Sequence, residues 1–136
     1  MTLSFRYKKE TIEGKTAYFP KIPITLHGPL TSFDTAALLD SGATNIFVPQ
    51  SIAQALGLET GKTEPVDSWT EKFEAKTSHI GISFAKGSQT FRKTLPCLIP
   101  QTEEGYQESV LGRTFFKFFE ITFNEEKQLT HLKKIR

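Results

Sequence analysis

The chain has 136 residues and a formal net charge of +2, with 17 basic and 15 acidic side chains. This length predicts one domain over residues 1–136, large enough to bury a core without disulfide bonds. One cysteine excludes an internal disulfide, and three scattered histidines without CxxC or HExxH spacing leave a zinc site without ligands. We therefore expect no metal and no cofactor.

Charge and apolar patterning also bear on partners and location. Basic residues are dense only at the C-terminal end, which is less than nucleic-acid binding requires. No apolar run approaches the length of a membrane span, and the first ten residues lack the apolar segment of a signal peptide. These features predict a cytoplasmic protein that binds neither nucleic acid nor membranes.

The first half of the chain predicts strands and one helix. Alternation over residues 22–26 predicts a strand, and Pro23 within it favours an edge position. Residues 33–39 and 46–48 are the next predicted strands. Residues 49–56 predict a short helix, because proline suits its start and Gly57 its end.

The second half predicts hairpins. Alternation over residues 66–84 around a polar tip predicts a long hairpin, followed by a strand over residues 90–98 and a polar loop. Residues 114–118 predict one helical turn before a terminal hairpin. The phenylalanines within 115–119 are more typical of a core than of a dimer interface, and Cys97 is expected to be a small core residue.

One carboxylate follows a short apolar run. Residues 37–39 predict a buried strand, and Asp40, Ser41 and Gly42 a tight turn after it. Burying an acid is costly without hydrogen bonds, so we expect the Ser41 hydroxyl and the N–H groups of the turn to supply them. Peptide hydrolysis by carboxylates needs two acids, one ionised to activate water and one protonated to polarise the carbonyl.

The chain offers no second acid of this kind. Asp34 is six residues from Asp40, which is about 20 Å along an extended strand. Asp67, the third and last aspartate, is not followed by Ser-Gly or Thr-Gly. If Asp40 is catalytic, its partner most economically comes from Asp40 of a second copy across a two-fold axis.

Two motifs together resemble those of the retropepsins. Residues 38–44 resemble the family's LLDSGA element, and residues 110–113 resemble its second motif, two apolar residues followed by Gly-Arg. The resemblance covers about residues 20–123 and is nearer to prokaryotic single-lobe members than to viral enzymes. It implies a mainly β fold: a closed, retropepsin-like β-barrel of one lobe, with a flap hairpin and one or two short helices. It also implies a homodimeric aspartic endopeptidase that binds extended peptides and pepstatin-like inhibitors.

The resemblance implies roles for the matching residues. Asp40 would share a water with its symmetry mate, Ser41 would donate its hydroxyl across the dimer, and Gly42 would accept a substrate N–H. Leu111 and Gly112 would pack beneath the Asp40 loop. The other expected substrate contacts are Ala43, Thr44 and Asn45 in the cleft and Ser68, Trp69 and Thr70 at the flap.

The sequence departs from the viral pattern beside the second motif. Several viral members carry an acid where this chain has Thr44, and that acid pairs with the arginine of the second motif. Arg113, the matching arginine, is therefore expected to support the active site through another partner.

Two alternatives share the same fold. One is a non-catalytic dimeric module that binds an extended peptide, and the other is a protease domain that acts only within a longer polyprotein or adaptor chain. The intact Asp40-Ser41-Gly42 motif favours catalysis, because a binding module gains nothing from placing two like charges together.

Overall fold

The computed structural model describes residues 2–67, 72–102 and 107–135, and these form a mainly β structure with two short helices. The elements in chain order are β1 (Thr2–Arg6), β2 (Lys8–Ile12), β3 (Lys15–Phe19), β4 (Lys21–His27), β5 (Ser32–Leu39), α1 (Gln50–Leu56), β6 (Thr63–Asp67), β7 (Lys72–Lys86), β8 (Gln89–Pro100), β9 (Val110–Leu111), α2 (Arg113–Phe116), β10 (Phe119–Asn124) and β11 (Leu129–Lys134). Neither helix is long enough to cross a membrane.

The strands form three hydrogen-bonded groups. β1, β11 and β10 make a three-stranded antiparallel sheet, and β2 and β3 form a separate hairpin. The largest sheet has the order β6-β7-β4-β5-β9, and β8 pairs along β7. Its one parallel pair, β5 with β9, brings Leu39 beside Leu111. The end of β5 therefore lies next to a segment from much later in the chain.

The expected closed barrel is not completed by strand pairing. Within the described ranges, β8 and β9 share no ladder, and only isolated bridges from Phe47 to Leu98 and Val110 connect them. Residues 46–48 are therefore not the predicted strand. They lie between a turn and a helix, which leaves room for single bridges but not for a ladder.

The predicted edge position of β4 is wrong. β5 pairs along the whole of β4, and β7 pairs with its last three residues on the other side. Pro23 is exposed and lies outside the stretch paired with β7, so its missing N–H interrupts no ladder. The proline marks a locally unpaired edge within an internal strand.

The predicted helix and the predicted hairpins are present. α1 begins after Pro49, which occupies the N-cap position, and it ends at Gly57, whose φ of +72° is left-handed. β6 pairs with β7, and β10 with β11, both antiparallel. Both agree with the predicted hairpins.

The N-terminal strands were not predicted. β2 and β3 are exposed along most of their length, so their sequences lack the apolar alternation that indicates a half-buried strand. The hairpin between them turns at Glu13 and Gly14, both with positive φ. β1 pairs with β11, which is a long-range contact that no local pattern reports.

The phenylalanine cluster is part of the core, as predicted. Phe115 is fully buried, and its ring lies 5.7 Å from that of Phe91 in a T-shaped contact and 5.3 Å from that of Phe119. Phe84 adds a tilted contact at 6.2 Å. These rings join α2, β10 and the β7–β8 hairpin into one apolar cluster.

Truncation of Phe115 tests this cluster. Phe115→Ala removes a fully buried ring, so we expect the free energy of unfolding to fall by about 3–5 kcal/mol, measured by urea denaturation. Phe33→Ala is the matched control, because Phe33 is 44% exposed and its loss should change the value by less than about 0.5 kcal/mol. Equal effects of the two variants would contradict the assigned core.

Candidate active site

Asp40 begins a tight loop directly after β5. Its N–H donates to the carbonyl of Leu111 at 3.1 Å, and its own carbonyl accepts the N–H of Ala43 at 3.2 Å. The N–H of Gly42 donates to Asp40 Oδ1 at 2.8 Å. The backbone of the loop therefore fixes both the position of Asp40 and the orientation of its carboxylate.

Solvent still reaches this carboxylate. Asp40 is half-buried, whereas Ser41 and Gly42 are exposed. Of the two expected kinds of donor to Asp40, the N–H of the turn is present in Gly42, whereas the Ser41 hydroxyl makes no such bond among the described residues. Ser41 and Gly42 are therefore on the solvent-exposed part of the loop.

Gly112 fits beneath the loop because it has no side chain. A Cβ at this position would lie 2.2 Å from the carbonyl oxygen of Asn45 and 2.6 Å from that of Ala43. Leu111, the residue before it, is fully buried. Leu111 and Gly112 thus lie against the backbone of the Asp40 loop, as the resemblance implies.

Arg113 has a partner in the same loop. Its N–H donates to the carbonyl of Ala43 at 2.8 Å, and its Nη2 donates to Thr44 Oγ1 at 3.0 Å. The N–H of Thr114 donates to the Thr44 carbonyl at 3.1 Å. The expectation that Arg113 needs a partner other than Thr44 is wrong, because a threonine hydroxyl can accept the bond that an acid would accept.

An open cleft of about 870 Å³ runs between the Asp40 loop and β6. Its walls hold predicted site residues from the loop together with four residues of β6. The lining residues are Asp40, Gly42, Ala43, Thr44, Asn45, Phe47, Glu64, Pro65, Val66, Asp67 and Leu98. The predicted flap contacts Ser68, Trp69 and Thr70 lie outside the described residues.

The floor of the cleft is apolar. Phe47 and Leu98 belong to a small buried cluster with Phe73, Ala75 and Val110, and Val66 packs against it. The rings of Phe47 and Phe73 are 6.3 Å apart. The cleft therefore combines apolar groups at its floor with the Asp40 carboxylate in its wall.

A buried lysine near the site was not predicted. Lys21 Nζ donates to Glu10 Oε1 at 2.8 Å and to Glu108 Oε2 at 2.5 Å. Glu108 precedes Ser109, whose carbonyl accepts the N–H of Leu38 at 3.0 Å. Lys21 therefore connects the β2–β3 hairpin to the segment that enters β9. The sequence does not indicate these ion pairs, because Glu10, Lys21 and Glu108 are far apart in the chain.

The Lys21–Glu10 ion pair involves two groups whose pKa values are shifted. The hydrogen bond from Lys21 lowers the pKa of Glu10 below its ordinary value. Burial alone would lower the pKa of Lys21, but its hydrogen bonds to Glu10 and Glu108 outweigh burial and raise it. Both shifts favour the charged pair near neutral pH.

Cys97 does not contribute a nucleophile. It is buried in the main core, as predicted, and burial raises the pKa of its thiol to about 12. The thiol is therefore protonated at neutral pH and unreactive.

Among the residues that the structure describes, no group of three or more His, Cys, Asp or Glu side chains is arranged to hold a metal ion.

The backbone arrangement resembles those of solved proteases. A retropepsin-like aspartic protease from Rickettsia conorii aligns with a TM-score of 0.62 at 16% identity, over 97% of this chain and 98% of that one. EIAV protease in complex with an inhibitor aligns with a TM-score of 0.50, also at 16% identity, over 73% of this chain and 86% of that one. The chain has a retropepsin-like fold. No protein-family model and no curated protein matches the sequence of this retropepsin-like chain.

A methyl group at Gly112 should displace the Asp40 loop. Because its Cβ would overlap two backbone carbonyl groups that cannot move independently, we expect Gly112→Ala to lower the free energy of unfolding by about 3 kcal/mol in urea denaturation. Gly87→Ala is the control: its Cβ would meet no atom within 4 Å, and its positive φ of 62° should cost only about 1 kcal/mol. Gly112→Ala at or below the control value would contradict the close approach.

The Lys21 ion pair predicts a pH dependence of stability. The pKa of Glu10 is lower in the folded chain than its ordinary 4.5, so its contribution is present above pH 4.5 and is lost as the pH falls through the folded value. Lys21→Met should make the thermal unfolding midpoint less sensitive to acid below this pH. The control Lys8→Met, which removes an exposed amine 3.7 Å from Glu10, should leave most of the dependence. An unchanged acid dependence in Lys21→Met would refute the assignment.

Proposed function

We propose that the chain, acting as one domain, is an aspartic endopeptidase that works as a homodimer and hydrolyses peptide bonds. The proposal rests chiefly on the position of Asp40. Its carboxylate is half-buried at a cleft, is oriented by the Gly42 N–H, and belongs to a loop fixed by β9. A carboxylate held this rigidly beside an open cleft suits acid–base chemistry.

The second acid would come from the partner subunit. No described carboxyl group makes a hydrogen bond with Asp40, whose Oδ1 is bound by a backbone N–H. An isologous interface places identical groups opposite each other, so two Asp40 residues would meet at the two-fold axis. The exposed Ser41 hydroxyl is free, among the described residues, to donate across this interface.

The reaction follows from the charge of the pair. Two carboxylates about 3 Å apart cannot both ionise cheaply, so together they hold one proton. The ionised Asp40 takes a proton from water as the water oxygen attacks the scissile carbonyl carbon, and the neutral Asp40 donates its proton to the carbonyl oxygen. The tetrahedral intermediate then breaks its C–N bond as the first Asp40 donates to the leaving nitrogen the proton that it took from water, and the second Asp40 takes a proton from a hydroxyl of the intermediate. The pair returns to its singly protonated state, and no covalent enzyme intermediate forms.

The substrate would bind as an extended strand. β6 pairs with β7 on one side only within the described ranges, which leaves its other edge beside the cleft. Peptides commonly add to such edges through main-chain hydrogen bonds. Ala43, Thr44 and Asn45 would contact the peptide from the opposite wall, and Arg113 would support that wall through Thr44.

Removal of the Asp40 charge tests the proposal. We expect Asp40→Asn to lower kcat/KM for peptide cleavage at least about 1,000-fold, because an amide can neither accept the proton of water nor share one. Asp34→Asn is the matched control on the strand that leads into Asp40, since Asp34 is exposed and, within the described ranges, accepts a side-chain hydrogen bond only from the Thr25 hydroxyl at 2.7 Å. Cleavage is measured with a peptide library, with and without a pepstatin-like inhibitor, and the dimer by sedimentation.

Three outcomes would contradict the proposal. Full activity in Asp40→Asn would remove Asp40 from catalysis. A strictly monomeric chain with full activity would remove the shared site. A dimer that binds extended peptides but cleaves none, and that is insensitive to the inhibitor, would favour the non-catalytic module.

A further inference from the structure

Glu64 lies on the apolar face of the β6–β7 hairpin. Side chains alternate between the two faces of a strand, so Glu64 and Val66 share one face. Their cross-strand partners are Ala75, which is fully buried, and Phe73, which is 9% exposed. Glu64 is therefore a charged residue in a row of apolar ones.

The opposite face of the hairpin carries its other charges. Pro65 is opposite Glu74, and Asp67 is opposite Lys72, whose Nζ lies 4.0 Å from the Asp67 carboxylate. Both members of that ion pair are highly exposed. These charges are at positions where solvent is expected on a two-faced hairpin.

Glu64 is also exposed, but it lacks the lysine partner that Asp67, the other β6 carboxylate lining the cleft, has in Lys72. It lines the cleft that also holds Asp40, and it makes no ion pair or side-chain hydrogen bond with any described residue. No lysine or arginine is present among the described residues that line this cleft. In the free chain, water solvates the Glu64 carboxylate.

A peptide bound in the cleft would change the solvation of the Glu64 carboxylate. A bound peptide displaces water, and a carboxylate that loses water without gaining a cation or a donor is destabilised. We infer that Glu64 selects substrates with a lysine or arginine side chain beside it. The apolar floor at Phe47, Val66 and Leu98 suits the methylene stem of such a side chain, whose charged end can then reach the carboxylate.

This inference rests on the proposed peptidase function, and paired peptides test it. Each pair differs only by arginine against citrulline, which has nearly the same shape but no charge, placed in turn at each position around the scissile bond. At one or more fixed positions, we expect the wild type to prefer arginine at least about tenfold in kcat/KM. Glu64→Gln should reduce that preference to less than about twofold.

Glu74→Gln is the matched control. It removes the same charge from the same hairpin, but from the face opposite the one that carries Glu64. The preference for arginine should remain in Glu74→Gln, and Glu64→Lys should reverse it in favour of glutamate over glutamine. Unfolding midpoints verify that all variants are folded.

The outcomes separate this inference from the proposed function. Cleavage by the wild type without a preference for arginine, or with a preference that persists in Glu64→Gln, overturns the role of Glu64 and leaves the peptidase intact. If the wild type cleaves nothing, the peptidase proposal fails, and fluorescence anisotropy of the same peptides still tests Glu64. Equal binding of the arginine and citrulline peptides would then overturn it.

Discussion

The close contact between the backbone of residues 110–114 and the loop that begins at Asp40 is the constraint on which the site depends. Backbone groups on both segments are paired with each other: Asp40 with Leu111, and Ala43 with Arg113. Gly112 allows this contact because any side chain would overlap the loop. A carboxylate at the end of β5 is thus placed by a segment more than sixty residues later, so the site forms only when both halves of the large sheet have assembled.

Electrostatics explains why, in the proposed peptidase, one chain would offer half a site. A single carboxylate at a cleft can be ionised or protonated, but it cannot supply a base and an acid to the same peptide bond at once. A symmetric pair solves this because mutual repulsion keeps one proton between two identical groups. The same need for compensation extends to Glu64, whose charge is tolerable in an open cleft and costly in a filled one. In the proposed function, catalysis and selectivity would both depend on carboxylates that form no ion pair with a described residue of their own chain.

Local chemistry made much of this fold predictable. α1 ends at Gly57, which adopts the left-handed conformation that glycine favours at a helix end, and the apolar run before Asp40 is a strand leading into a tight loop.

Predictions failed where long-range pairing decides the structure. Pro23 is tolerated in an internal strand because β7 pairs only with the end of β4. Phe47 makes single bridges to two strands that are distant from it in sequence. The Thr44–Arg113 hydrogen bond was not predicted, because only an acid was expected at position 44 of the loop to pair with this arginine. In the structure, the threonine hydroxyl accepts the bond. The Lys21 ion pairs join three segments whose charges show no pattern along the sequence.

Subunit mixing tests most directly whether two copies of Asp40 share one catalytic centre. Wild-type and Asp40→Asn chains are co-expressed at graded ratios, so that subunits pair at random, and peptide cleavage is measured per total chain. A site built from two subunits predicts activity that falls as the square of the wild-type fraction, to about one quarter when half the chains are wild type. Activity that falls in direct proportion, to about one half, would mean that each chain carries a complete site, and it would contradict the account.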